Sequence, residues 1–129
     1  MTLLLDTHAF VWWLAGDKRI TPRLRHIIEQ NSGETYVSAI SAYEMSQKNR
    51  LGTWPEIEPV LKSFEGLAAV ANISLLDITP RHAIFAGQIA GLHRDPFDRI
   101  LAAQARLEGM IFISNDKEIE ALGVEPVWG

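Results

Sequence analysis

The fold is decided by one short stretch near the start of the chain, Leu3-Leu4-Leu5-Asp6-Thr7-His8. Three consecutive leucines without polar alternation are typical of a strand that is buried on both faces of a parallel sheet. Asp6 follows at the carboxyl end of this strand, where open α/β sheets gather ligands and catalytic groups. The same carboxylate is also suited to cap the helix that residues 9–14 predict, so a structural role competes with a functional one.

Composition narrows the class of protein. The chain has 129 residues, a formal net charge of −4 and no cysteine. This length predicts one domain, residues 1–129, and the missing cysteines exclude disulfides, thiolate metal sites and cysteine nucleophiles. The acidic charge argues against a protein that coats DNA, so any nucleic-acid contact must be local. No apolar run reaches the ~20 residues of a membrane span and no basic signal-peptide segment is evident, which predicts a soluble, cytoplasmic protein without membrane partners.

Short apolar strands alternate with helical patterns along the rest of the chain, which predicts an α/β fold with a parallel sheet. The predicted strands are 3–5, 35–37, 73–78 and 110–113, with a further edge strand at 124–128. The predicted helices are 9–14, 22–30, 42–49, 57–71, 80–92, 97–107 and 117–122.

Acidic residues fall where this topology would bring them together. Asp6 and Asp116 each follow a buried strand, Glu44 lies on the helix after the second strand, and Asp95 and Asp98 mark one helix start. Right-handed βαβ crossovers place all of these positions at the same edge of the sheet. Clustered carboxylates repel one another unless a cation neutralises them, and oxygen ligands favour Mg²⁺ or Mn²⁺. Such ions support phosphodiester hydrolysis by activating water.

Each acid also has a structural interpretation. Ser41 is a candidate N-cap with Glu44 completing a capping box, and Asp95 precedes a proline as helix N-caps often do. Two other classes of function remain open, namely a receiver-like phosphotransfer module phosphorylated on Asp6 and an inert protein-binding domain whose acids only cap helices. The first lacks a second acid two residues after Asp6, because His8 stands there.

The acidic positions and their neighbours resemble the PIN-domain ribonucleases, specifically the VapC-type toxins of bacterial toxin–antitoxin pairs. The matching segments are Leu3-Leu4-Leu5-Asp6-Thr7-His8, residues 38–44, His93-Arg94-Asp95-Pro96-Phe97-Asp98-Arg99 and Ser114-Asn115-Asp116. The resemblance implies an α/β/α sandwich around a central, mostly parallel sheet of four to five strands. It also implies Mg²⁺-dependent endoribonuclease activity on RNA, a homodimer, and inhibition by a small cognate antitoxin.

The resemblance also assigns roles to individual residues. The implied catalytic and metal-binding residues are Asp6, Glu44, Asp98 and Asp116. The implied supporting residues, which would orient the acids or bound water, are Thr7, Asp95, Ser114 and Asn115. For Asp95, helix capping remains the alternative role.

The basic and aromatic residues beside these acids are further candidates. Arg94, Arg99 and His8 have the chemistry to contact RNA phosphates, although ion pairing of the arginines and a solvated or capping histidine are the structural alternatives. Trp12 and Trp13 are interpreted as part of a subunit interface rather than as a base-stacking pair.

Overall fold

A computed structural model of the chain describes residues 1–91 and 95–129. The described residues form a four-stranded sheet in which every pairing is parallel and the strand order is β3-β2-β1-β4. The strands are β1 (Leu3–Leu5), β2 (Thr35–Ser38), β3 (Ser74–Leu76) and β4 (Ile111–Ile113). The predicted parallel sheet is therefore confirmed, whereas the predicted helix end at Leu92 and the candidate RNA contact Arg94 lie outside the described residues.

Helices flank the sheet and connect its strands. The α-helices are α1 (Thr7–Ala15), α2 (Pro22–Gln30), α3 (Ala39–Arg50), α4 (Glu58–Lys62), α5 (Phe64–Val70), α6 (Pro80–Gln88) and α7 (Pro96–Glu108). Two 3₁₀ helices span Pro55–Ile57 and Lys117–Leu122. Across residues 1–91 and 95–129, no helix combines the length and the apolar character that crossing a membrane requires.

The leucines of β1 hold the two helical layers together. Leu3 and Leu5 are fully buried in one apolar cluster with Phe10, and Leu4 is fully buried in the opposite cluster with Leu101. Burying each leucine side chain contributes about 1.5–3 kcal/mol. A strand that contributes to the core on both faces explains why the sequence shows no polar alternation here, and it confirms the α/β/α sandwich.

Side-chain caps form at several helix starts. Thr21 accepts a hydrogen bond from the backbone N–H of Leu24 at 3.2 Å, with Pro22 in the first helical position of α2. Thr79 likewise accepts from the N–H of His82 at 3.2 Å at the start of α6. Each cap satisfies a backbone donor that the first turn of a helix leaves unpaired.

The predicted start of α3 is wrong. The helix begins at Ala39, and its N-cap is Ser38, whose Oγ accepts from the N–H of Ile40 at 3.0 Å. Ser38 also ends β2, so the chain turns from strand to helix without a loop. Ser41 consequently lies in the first turn, and the capping box that was predicted between Ser41 and Glu44 does not form.

The predicted helix 57–71 is divided. A 3₁₀ turn precedes α4, and Ser63, with φ −133° and ψ 31°, separates α4 from α5. Gly66, whose intrinsic helix propensity is low, is nevertheless helical. Directly after Ser63, the ring of Phe64 packs against the buried ring of Phe10, with centroids 5.2 Å apart. The break between α4 and α5 therefore coincides with a contact to the core.

Other boundaries also differ from the prediction. Helix α6 ends at Gln88 because Ile89 adopts φ −58° and ψ 124°, which is incompatible with continuing the helix. Strand β3 is limited to Ser74–Leu76. The predicted edge strand at 124–128 is reduced to a parallel bridge between Ile113 and Val127.

Candidate active site

An acidic cleft of about 150 Å³ lies beyond the carboxyl ends of β1 and β4, beside the start of α7 and the second turn of α3. Its lining residues are Asp6, Thr7, His8, Glu44, Lys48, Asp95, Asp98, Leu101, Asn115 and Asp116. The structure thus brings together the four acids to which the family resemblance assigned a catalytic role. Three of the four assigned supporting residues line the same cleft, and the fourth, Ser114, forms a hydrogen bond with the side chain of Asp6.

Asp6 caps a helix and faces the other acids at the same time. Its Oδ1 accepts from the N–H of Ala9 at 2.7 Å, which caps α1. Burial raises the pKa of Asp6 from 3.8 to about 6, and the negative charges of Glu44 and Asp116 add to that rise. Hydrogen bonds from Ser114 and the Ala9 N–H oppose it by favouring the ionised form. The capping and functional interpretations of Asp6 are therefore compatible.

Glu44 is almost completely buried, with 7% of its surface exposed. The hydroxyl of Thr7 donates to its Oε1 at 2.5 Å, and Ser41 Oγ lies 2.9 Å from the Thr7 Oγ1. Lys48, one turn along α3, donates from Nζ to the Glu44 Oε2 at 2.6 Å. Both carboxylate oxygens of Glu44 are thus engaged, and none of these contacts is a helix cap.

The start of α7 is fixed by Asp95. Its Oδ1 accepts from the N–H of Phe97 at 2.9 Å and from that of Asp98 at 3.3 Å. Asp95 therefore caps helix α7, as the structural interpretation of this residue predicts. It also lines the cleft. Capping orients the first turn that carries Asp98.

Ser114 links two acids of the cleft. It is 2% exposed, forms a hydrogen bond with the Asp6 side chain, and accepts through Oγ from the N–H of Asp116 at 3.1 Å. Asp116 in turn accepts from the N–H of Glu118 at 3.0 Å and caps the following 3₁₀ helix. The turn after β4 is therefore held by short-range hydrogen bonds that set the direction of both carboxylates.

His8 occupies an aromatic wall of the cleft. Its ring stacks on Trp54 with centroids 4.5 Å apart and planes 16° apart, and it lies 5.5 Å from Trp12. Burial lowers the pKa of His8, and the nearby positive charge of Lys48 lowers it further. An uncharged, stacked imidazole is poorly suited to attract phosphate by charge, so the aromatic role of His8 is the better supported one.

The structure places Arg99 elsewhere. Its guanidinium donates from Nε to the carbonyl of Ala86 at 2.9 Å and from a terminal nitrogen to the carbonyl of Ile89. Arg99 is not among the residues that line the cleft. These contacts join α7 to the end of α6 and favour a structural role for Arg99 over the predicted contact with RNA.

Sequence analysis missed three residues of this region, namely Lys48, Ser41 as a buried partner of Thr7, and Trp54. A signal for Lys48 was present, because side chains four residues apart on a helix are neighbours and Glu44 precedes it by four. Trp54 lies in the connection that follows α3, and no local pattern relates it to His8.

The donor set of the cleft fits a divalent cation of the Mg²⁺ class, which prefers carboxylate oxygen ligands. Besides burial, the negative charges of Glu44 and Asp116 raise the pKa of Asp6, and a bound cation would offset that repulsion. Within residues 1–91 and 95–129, no group of three or more acidic or histidine side chains is arranged so that it could hold a metal ion. Glu44 is instead engaged by Thr7 and Lys48, so metal binding would require Lys48 to yield its position.

The sheet is parallel, and acidic residues follow the carboxyl ends of its strands. The chain therefore belongs to the class of α/β proteins whose functional site lies at the carboxyl ends of the strands. Residues 3–125 match the PIN domain family, and the chain belongs to that family. The resemblance drawn from the sequence is therefore confirmed, and a receiver-like module is not the fold of this protein.

Named relatives share nearly the whole chain. Ribonuclease VapC22 of Mycobacterium tuberculosis is 29% identical over 121 residues, covering 93% of this chain and 91% of the relative. The tRNA(fMet)-specific endonuclease VapC of Shigella flexneri is 28% identical over 130 residues, covering 95% of this chain and 93% of the relative.

Solved structures share the fold. The DNA-bound VapBC of Salmonella typhimurium has a TM-score of 0.71 at 23% identity, covering 98% of this chain and 97% of that one. A toxin–antitoxin complex from Klebsiella pneumoniae has a TM-score of 0.58 at 15% identity, covering 93% of this chain and 91% of that one. At these identities the likeness concerns the fold alone.

Proposed function

We propose that this chain is a Mg²⁺-dependent endoribonuclease, with Mn²⁺ as an alternative ion, and the toxin of a toxin–antitoxin pair. The observation that carries the proposal is the convergence of Asp6, Glu44, Asp98 and Asp116 in one cleft. Support also comes from relatives that are named ribonuclease or endonuclease and that align along almost the whole chain. We further propose that the protein acts in the cytoplasm and forms a homodimer.

The four acids would hold the metal ion. When bound, such an ion supplies an activated water nucleophile and neutralises charge that develops on the scissile phosphate. Thr7 keeps Glu44 directed into the cleft, and Ser114 does the same for Asp6. Asn115 lines the cleft and can donate a hydrogen bond to a phosphate oxygen or water.

Charge makes RNA binding depend on neutralisation of the cleft. Without a cation, the acids at the strand ends repel the phosphate backbone, and the protein as a whole carries a net charge of −4. A divalent cation held by these acids would reduce the local negative charge and offer the phosphate a positive counter-charge. The proposed substrate is therefore expected to bind productively only when the acids are neutralised.

An antitoxin partner is part of the proposal. Solved structures with this fold include VapBC and a toxin–antitoxin complex, and an acidic cleft attracts the guanidinium or ammonium group of a basic peptide. Such a side chain would compete with Mg²⁺ for the same carboxylates. Inhibition by the product of a neighbouring gene should then weaken as the Mg²⁺ concentration rises.

The decisive experiment compares RNA cleavage by the wild type, Asp6→Asn and Asp17→Asn, each with Mg²⁺ and with EDTA. Asparagine retains the ability to cap α1 but loses the charge needed for metal binding. We expect Asp6→Asn and EDTA each to reduce cleavage by about 100-fold or more, as loss of a metal site does. Asp17 lies outside the cleft, and Asp17→Asn removes the same unit of charge, so it should cleave like the wild type.

Two outcomes would contradict the proposal. Cleavage that survives in EDTA, or in purified Asp6→Asn, would show that the carboxylates do not carry the reaction. If the protein binds Mg²⁺ but cleaves nothing in a preparation of total cellular RNA, the alternative of an inert protein-binding domain would be favoured.

A further inference from the structure

Lys48 is a cation placed inside the acidic cleft. Its Nζ lies 2.6 Å from Oε2 of Glu44, with 34% of the Lys48 side chain and 10% of the Glu44 side chain exposed. Among the described residues that line the cleft, Lys48 is the only lysine or arginine. The proposed mechanism gives this ammonium group no role.

A second ion pair shows why this contact is unusual. Lys62 and Glu58 on α4 have the same spacing in sequence, but they lie 3.5 Å apart and are 74% and 59% exposed. Exposed pairs of that kind contribute little to stability. Lys48 instead holds a carboxylate that is buried, already receives a hydrogen bond from Thr7, and belongs to the proposed metal site.

The backbone around Lys48 is firmly placed. Its carbonyl accepts from the N–H of Thr53 at 3.0 Å, from the N–H of Trp54 at 3.2 Å and from the Thr53 hydroxyl at 3.1 Å. Nζ lies 6.0 Å from the centroid of the Trp54 ring, which stacks on His8. The ammonium group therefore lies between Glu44 and the aromatic wall of the cleft.

We propose that Lys48 is an RNA-phosphate-binding residue that is held on Glu44 until a divalent cation takes that carboxylate. This inference rests on the proposed nuclease function. A cation on Glu44 would remove the counter-ion of Lys48 and repel its ammonium group. An RNA phosphate would then replace Glu44 as the counter-ion of the Lys48 ammonium group. Lysine binds phosphate oxygens well as a compact positive charge with several N–H donors. Metal binding and RNA binding are thereby coupled through one side chain.

The coupling predicts opposite effects of one substitution on the two ligands. Lys48→Met keeps the length and apolar stem of the side chain but removes its charge. Binding of Mg²⁺ to the RNA-free protein should become about 3- to 10-fold tighter, because a competitor and a repelling charge are lost. The KM for RNA should rise about 5- to 20-fold with a smaller change in kcat, because a phosphate contact is lost.

The experiment combines calorimetric titration of the RNA-free proteins with Mg²⁺ and steady-state cleavage of a fluorescent single-stranded RNA. Lys62→Met is the matched control, since it breaks an ion pair of the same spacing outside the cleft and should change neither quantity. Lys48→Arg keeps the charge and should restore most of the KM. A helix-stabilising role alone would not tighten Mg²⁺ binding.

Unchanged or weaker Mg²⁺ binding by Lys48→Met would overturn the proposal, as would an unchanged KM. If Lys48→Met does not fold, Lys48→Gln serves in the same two measurements. Failure of the wild type to cleave RNA would count against the nuclease function itself. The Mg²⁺ titration needs no RNA and would still decide whether Lys48 competes with the metal for Glu44.

Discussion

The hydroxyl of Thr7 donates to Oε1 of Glu44 at 2.5 Å, although the two residues are 37 positions apart in sequence. Thr7 is 2% exposed and Glu44 7% exposed, so water has little access to this bond. The contact connects the residue that starts α1 with the second turn of α3. It fixes a buried carboxylate in a direction that local sequence does not determine.

Thr7→Val should therefore weaken both the fold and the site. Valine keeps the shape of threonine but leaves Oε1 of Glu44 without its donor, which should lower the free energy of unfolding by about 1.5–3 kcal/mol. Urea unfolding measures that loss, and Mg²⁺ titration should show weaker binding. Thr7→Ser keeps the hydroxyl and is the matched control. Equal stability of the valine and serine variants would contradict a role for the hydrogen bond.

Asp6→Asn should stabilise the metal-free protein at neutral pH. The pKa of Asp6 rises from 3.8 to about 6 on folding, mainly through burial. The folded state binds the carboxyl proton of Asp6 more tightly than the unfolded state does. The stability that this proton contributes is fully present below pH 3.8 and is lost as the pH rises through about 6. Asparagine does not ionise, so the free energy of unfolding of Asp6→Asn should exceed that of the wild type by about 1–3 kcal/mol at about pH 7.5 in EDTA.

The pH dependence tests this interpretation of Asp6. The advantage of Asp6→Asn over the wild type should shrink towards about pH 4, where the wild-type carboxyl group is protonated in the folded protein. Asp17→Asn should show little difference from the wild type at either pH. Thermal unfolding in EDTA measures all three proteins, and an advantage of Asp6→Asn that does not vary with pH would count against burial of an ionised Asp6.

Sequence was sufficient for features that depend on local pattern and topology. The leucines of β1 have no polar alternation because both faces of the strand are buried, so the parallel sheet was predictable. Right-handed crossovers then bring the ends of parallel strands to one edge, which predicted the meeting of Asp6 with Asp116. Asp95 was predictable as a cap because capping depends on its immediate neighbours.

Features that depend on tertiary contacts escaped sequence analysis. Ser38 and Ser41 are both chemically good caps, and only the direct passage from β2 into α3 selects Ser38. The stacking of Trp54 on His8 joins residues that no periodic pattern relates. Arg99 has the chemistry of a phosphate ligand, yet two backbone carbonyls near the end of α6 receive its guanidinium.

Addition of Mg²⁺ should stabilise the wild type and leave Asp6→Asn almost unchanged. A ligand that binds only the folded state raises stability by RT ln(1 + [L]/Kd), which is about 2.7 kcal/mol at 100 times Kd. Thermal unfolding across a Mg²⁺ series at about pH 7.5 measures this gain, with K⁺ at matched ionic strength as the control for screening. Equal gains in both proteins would show that Mg²⁺ acts away from the carboxylates.

Arg99→Met should affect stability and leave RNA recognition unchanged. The substitution removes the donors to the carbonyls of Ala86 and Ile89, which should cost about 1–3 kcal/mol of unfolding free energy. Arg81→Met removes an exposed arginine of α6 and should cost little. Below the unfolding transition, the KM of Arg99→Met for RNA should stay within about 2-fold of the wild-type value, since a structural residue outside the cleft makes no substrate contact. A KM raised about 10-fold with unchanged stability would return Arg99 to the role of an RNA contact.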